Sequence, residues 1–290
     1  MSNAAIRYCI APDRNPRKPK IVLPKGSIDT HVHVFEMKRY KMNPDRGYNP
    51  PDSTLDDLKH LHKTLGVDRV VFTQPSTYGT DNRCTLEAIA ALGPLARGVV
   101  VVDQTVSDAE LERMTRLGVR GIRFHMMEGG ALPWDILETM AARVDNFGWH
   151  VQLQLDGRTL PDHEALLKRL PGTLVVDHVG KFMEPVPVDH PAFRVLLKLA
   201  ESGRTYVKLS APYNWSKSGP PNYSDVGRLA TALKKAAPER MLWATNWPHP
   251  MPNTPIPDDA WVLDMMLEWI PDDAARNKAF ADNPARLYGF

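Results

Sequence analysis

The sequence predicts an α/β protein folded as a single (β/α)8 barrel. Two observations carry this. Eight short, β-branched apolar runs recur along the chain, most ending on a polar residue, and a helical pattern follows each one. A third observation removes the main competitor. No Gly-rich phosphate loop follows the first run, as a doubly wound nucleotide-binding sheet would require.

The elements follow in order. Ser27–His33 (SIDTHVH) comes after Gly26, and its helix opens at Thr54 as N-cap. Asp68–Gln74 is followed by a helix at Thr85–Leu92. After Arg97–Asp103 comes Ser107–Leu117, where Ser107-Asp108-Ala109-Glu110 has the form of a capping box. Val119–His125 precedes the helix Trp134–Phe147, and Trp149–Asp156 precedes Pro161–Leu170. The last three pairs are Leu174–His178 with Pro191–Glu201, Thr205–Ser210 with Ser224–Ala236, and Arg240–Asn246 with Asp258–Ile270. Near-continuous apolar strands are what a parallel sheet buried on both faces needs. Residues 1–26 read as an extended N-terminal segment and 27–290 as the barrel domain. The 26 prolines cluster in loops and mark rigid connections, with no hinge between domains.

Composition excludes several functions. Across 290 residues, Lys+Arg number 36 against Asp+Glu 34, a net charge of +2. That balance gives no field for nucleic acid or anionic membrane, and no apolar run reaches the ~20 residues of a membrane span. Cys9 and Cys84 cannot build a disulfide framework, so free thiols and a cytoplasmic location are expected. Attraction for an anionic ligand must then come from a few cations at the barrel mouth.

In a barrel the chemistry sits where the strands end. Those ends supply His31 and His33, Gln74 and Ser76, Asp103, Arg123 and His125, Gln154 and Asp156, His178 and Lys181, Lys208 and Ser210, and Asn246 and His249. His31 and His33 are two apart on a strand and so share a face, where paired imidazoles can polarise a carbonyl or hold a metal. Arg123 shares a face with His125, whereas Arg120 lies on the other. Arg123 and Lys181 are therefore the expected carboxylate clamp.

At these residues the sequence resembles the amidohydrolase superfamily, and most of all its 2-pyrone-4,6-dicarboxylate lactonase and galactarolactone isomerase group. Ile28–His33, Gly79–Asn82, Gly121–Phe124, Asp177–Lys181, Trp247–Pro250 and Asn283–Tyr288 carry the likeness in this order. It implies an amidohydrolase-type TIM barrel acting on a small carboxylated lactone without a metal. His31, His33 and His178 would polarise the carbonyl. Arg123, Lys181, Tyr48, Ser76, His125, Gln154 and His249 would surround the substrate. If a metal were bound, His31, His33 and His178 would hold it, with zinc or manganese as candidates. Gln154 and Asn246 stand where better ligands are expected, and neutral amides are weak ligands. Asn246 also departs from the group's general base, an Asp. Either Asn is the natural residue and an internal hydroxyl attacks, as in a lactone isomerase, or it replaces a natural Asp of a lactonase. A metal-dependent hydrolase or decarboxylase is the alternative. Whether copies associate as a homo-oligomer is left open.

Overall fold

A computed structural model describes residues 6–251 and 255–290 of the chain. The first five residues of the expected N-terminal segment, and residues 252–254 of the proline-rich stretch, lie outside the described residues. Eight parallel strands pair in chain order, β1 to β8. They are β1 Ile28–Val32, β2 Arg69–Thr73, β3 Ala96–Val100, β4 Val119–His125, β5 His150–Gln154, β6 Leu174–Val176, β7 Thr205–Leu209 and β8 Met241–Trp243. The helices are α1 Leu55–Leu65, α2 Arg83–Leu92, α3 Asp108–Leu117, α4 Leu137–Asp145, α5 Leu160–Arg169, α6 Pro191–Glu201 and α7 Ser224–Ala236. Then come α8 Asp259–Asp264, α9 Met266–Trp269, α10 Asp273–Asn277 and α11 Asn283–Tyr288. Among the described residues no helix is long and apolar enough to cross a membrane.

Local chemistry explains the helix starts. Thr54 accepts from the Asp57 amide while the Asp57 carboxylate accepts from the Thr54 amide, a complete capping box. At α3 only half of the expected box forms. Ser107 caps the Glu110 amide, but the Glu110 carboxylate turns to Arg113 at 2.7 Å. A bidentate guanidinium is the stronger partner for a carboxylate. The single expected helix over 258–270 breaks into α8 and α9, and two further helices, α10 and α11, complete the chain.

β8 meets β1 through side chains as well as backbone. Thr30 Oγ1 donates to the Trp243 carbonyl at 2.7 Å, and Thr245 Oγ1 to the Asp29 carboxylate at 2.5 Å. The Asn246 amide reaches the His31 carbonyl at 3.0 Å, and the His33 amide the Trp247 carbonyl at 2.9 Å. The seam of the barrel thus runs through the residues that end both strands.

Ile28, Val71, Val99, Val175, Tyr206 and Leu242 form an apolar layer inside the barrel, with Tyr288 of α11 packed against it. Strict alternation from Ile28 would turn His31 toward the helices. A register shift between Asp29 and Val32 resets the alternation. Val32 then joins the outer core between sheet and helices, and His31 and His33 turn inward.

Candidate active site

Above the apolar layer the interior becomes polar. Gln152 of β5 and Lys208 of β7 lie inside, together with Asp177, which follows β6; all are at most 1% exposed. The Lys208 ammonium donates to the Thr30 carbonyl at 2.8 Å and to Gln152 Oε1 at 2.7 Å. Its third contact is His31 Nδ1 at 3.2 Å. Asp177 Oδ1 lies 3.3 Å from the same nitrogen without making a hydrogen bond. An ammonium can only donate, so His31 Nδ1 accepts and its hydrogen sits on Nε2, which is buried without a partner. Asp177 is also 3.5 Å from Lys208 and 3.7 Å from Arg123. Burial opposes its ionisation, yet the Lys208 ammonium against it holds it well below the usual carboxylate range. Burial pushes Lys208 down to about 8.

His33 and His178 pack with their ring centroids 4.9 Å from that of His31. His33 Nδ1 lies 2.7 Å from the Thr73 carbonyl, an acceptor only, so His33 carries its hydrogen on Nδ1. His178 Nδ1 pairs with Ser210 Oγ at 2.8 Å. Burial holds all three rings, and His125, well below the usual histidine range, so they are neutral at pH 7. The backbone at His178, Val179 and Lys181 is left-handed, at φ 55°, 56° and 45°. A β-branched residue there is strained, and that strain sits where the chain turns His178 and Lys181 to the cavity.

The cavity at this end of the barrel has a volume of about 660 Å³. His33, Tyr48, Ser76, Arg123, His125, Gln154, His178, Lys181 and Asn246 line it. Arg123 donates to the Gln74 carbonyl at 2.8 Å and to Gln154 Oε1 at 2.7 Å, while its buried Nε has no partner among the described residues. Lys181 has no ion-pair partner among the described residues, and burial together with Arg123 pushes it down to about 8. Ile6 and Arg7 from the N-terminal segment, and Arg46 from the loop after β1, also line the wall. Among the described lining residues, Arg7, Arg46, Arg123 and Lys181 face one carboxylate, Glu128.

Three expectations are placed differently. His249 does not line the cavity. Its ring is held between Tyr213 and Asp259 behind Asn246. Asp156 binds Arg158, and Asp103 holds the turn at Thr105, so neither faces the site. Arg120, expected on the opposite face, bonds the carbonyls of Thr115 and Val119 away from the site. Asp177, Gln152, Arg7 and Arg46 escaped the sequence reading. Alternation from Val175 to Asp177 was the available signal for the first.

The grouping suited to a metal is His31, Asp177 and His178, whose ligand atoms lie within 4.8 Å of one another. It takes Asp177 in place of the expected His33. A divalent ion fits this group badly. The Lys208 ammonium already stands against His31 and Asp177 and would repel a second cation, and the next donors, Gln152 and Asn246, are neutral amides.

A family model described as amidohydrolase matches residues 28–290, and the chain belongs to that family. It is 34% identical over 274 residues to D-galactarolactone isomerase of Agrobacterium fabrum, covering 93% of each chain. It is 36% identical over 285 residues to 2-pyrone-4,6-dicarboxylate hydrolase of Comamonas testosteroni, covering 94% of this chain and 93% of that one. An apo crystal structure from Agrobacterium tumefaciens, 33% identical, has a TM-score of 0.90 over 96% of this chain and 99% of its own.

Proposed function

We propose that this protein is an enzyme that rearranges a small carboxylated lactone by acyl transfer at the ring carbonyl, with no metal in the reaction. One observation carries the reading: two neutral imidazoles, His33 and His178, and an amide, Asn246, line a cavity whose charged lining is mainly cationic, and a third imidazole, His31, packs against both rings. The relatives, a lactone isomerase and a lactone hydrolase, support the chemistry.

Arg123 and Lys181 hold the substrate carboxylate, with Arg7 and Arg46 further out. The three histidines divide the work rather than all polarising the carbonyl. His31 offers Nε2–H to the oxygen that gains charge, and His178 does so when Ser210 donates to its Nδ1. His33 has committed its hydrogen to Thr73, so its Nε2 is a lone pair. It accepts the proton of the attacking hydroxyl as the new carbon–oxygen bond forms. It returns that proton to the ring oxygen as the old ester bond breaks. No net proton or water is consumed. A tethered hydroxyl gains high effective molarity and so does without the carboxylate base that Asn246 cannot provide. Hydrolysis is the second reading, favoured by the hydrolase relative and served by the same path with water as the nucleophile.

Incubating the protein with sugar-acid and 2-pyrone lactones, followed by NMR, tests this. Ring-size exchange that survives EDTA is expected, with net hydrolysis emerging in Asn246→Asp. Loss of activity with chelator would establish the metal-dependent alternative. Full activity in His178→Ala would end this mechanism.

A further inference from the structure

Asn246 and His249 hold left-handed backbone, at φ 62° and 61°. Non-glycine residues keep that conformation where their surroundings over-determine it. Here a chain of three hydrogen bonds leads away from Asn246. Its Nδ2 lies 2.9 Å from the Tyr213 hydroxyl. That hydroxyl lies 2.6 Å from His249 Nδ1, and His249 Nε2 lies 2.9 Å from Asp259 Oδ1 in α8. His249 and Asp259 are each 2% exposed, so water does not compete for these bonds.

Donor chemistry gives the chain a direction. A carboxylate only accepts, so His249 carries its hydrogen on Nε2 and donates to Asp259. Asn246 Nδ2 donates to the Tyr213 oxygen, so the single Tyr213 proton goes to His249 Nδ1, which accepts it, and the ring carries one hydrogen. With its nitrogen so engaged, the amide leaves Oδ1 for the cavity that Asn246 lines. We propose that Asp259, His249 and Tyr213 are positioning residues that hold Asn246 Oδ1 toward the cavity as a fixed acceptor for a substrate hydroxyl other than the one whose proton His33 takes. The identity of that hydroxyl rests on the lactone reading. The direction of the chain does not.

The chain also distinguishes Asn from Asp at position 246. A carboxylate there would claim the Tyr213 proton. His249 would then have to donate from both nitrogens and become a cation. With Asn every bond is made by a neutral ring. Asn246 is thus the matched end of the chain. It orients a hydroxyl without removing its proton.

Two measurements on the full chain test this. Nitrogen-15 NMR at neutral pH, with His249 assigned through His249→Gln, should show a neutral ring protonated on Nε2. In Asn246→Asp both ring nitrogens should be protonated. A ring protonated on Nδ1 in the unaltered protein, or one unchanged in the variant, overturns the proposal. This measurement needs no substrate, so it fails or succeeds independently of the lactone reading. On a lactone that the protein turns over, Tyr213→Phe should lower kcat about ten- to hundred-fold with KM within about twofold. In an Asn246→Ala background the same change should cost less than about twofold. Equal losses in the two backgrounds overturn the proposal.

Discussion

Lys208→Met tests the interior network most directly. The ammonium is fully buried and donates at 2.8 Å to Thr30 and at 2.7 Å to Gln152. Removing it strands these two buried oxygens and frees His31 Nδ1. It also leaves the Asp177 carboxylate with Arg123, at 3.7 Å, as its remaining cation. Breaking a buried charge pair on one side costs about 3–5 kcal/mol. At roughly 2–4 °C per kcal/mol for a chain of this size class, thermal unfolding should fall by on the order of 10 °C. Calorimetry reads this, with urea unfolding as a second probe. The partner variant completes the cycle. Lys208→Met combined with Asp177→Asn should cost at least about 1 kcal/mol less than the two single losses added together. A single-variant loss under about 1 kcal/mol, or strict additivity, would refute the reasoning. His31 supplies a second readout. Without the ammonium its Nδ1 is free to take the hydrogen and donate to Asp177, so kcat should drop about 10²–10³-fold even where the protein remains folded.

Two further outcomes are expected. Lys181 loses its proton as pH rises through about 8, so KM for a carboxylated lactone should climb above that pH and stay flat below it. Lys181→Arg, always charged, should abolish the climb, and a slope that persists in the variant assigns it to another group. Tyr288 is fully buried and its hydroxyl has no partner among the described residues. Tyr288→Phe should therefore leave the unfolding midpoint unchanged or raise it, whereas Tyr288→Ala should cost about 3–5 kcal/mol. A marked loss in the Phe variant would show that the hydroxyl is satisfied in solution.

The barrel was legible because a parallel sheet covered on both faces leaves a strong local trace. Runs such as Val99–Val102 and Leu174–Val176 are apolar without a break, and the helices between them carry their own caps. The last thirty or so residues were less legible. The helices α8 to α11 are short, and what holds α11 is the packing of Tyr288 inside the barrel rather than its own pattern. Within the site, His31, His33, Arg123, His178 and Lys181 were visible as polar residues at strand ends. Asp177 and Lys208 were harder. A charge within an apolar strand reads as an end or an edge until its counter-charge is known, and that counter-charge sits on another strand.

By itself, then, the sequence determined the architecture and the kinds of group at the mouth of the barrel. Both follow from short-range periodicity and from the rule that strand ends carry the chemistry. Which nitrogen of each histidine bears the hydrogen was decided only by the tertiary structure. That depends on a carbonyl of β2 for His33, an ammonium of β7 for His31 and a carboxylate of α8 for His249. The folded barrel also turned His249 from a residue beside the substrate into the support behind Asn246, and brought Arg7 of the N-terminal segment to the cavity. The physical reason is the same throughout. A hydrogen bond's direction belongs to a pair of atoms, and closing the barrel chooses the pairs.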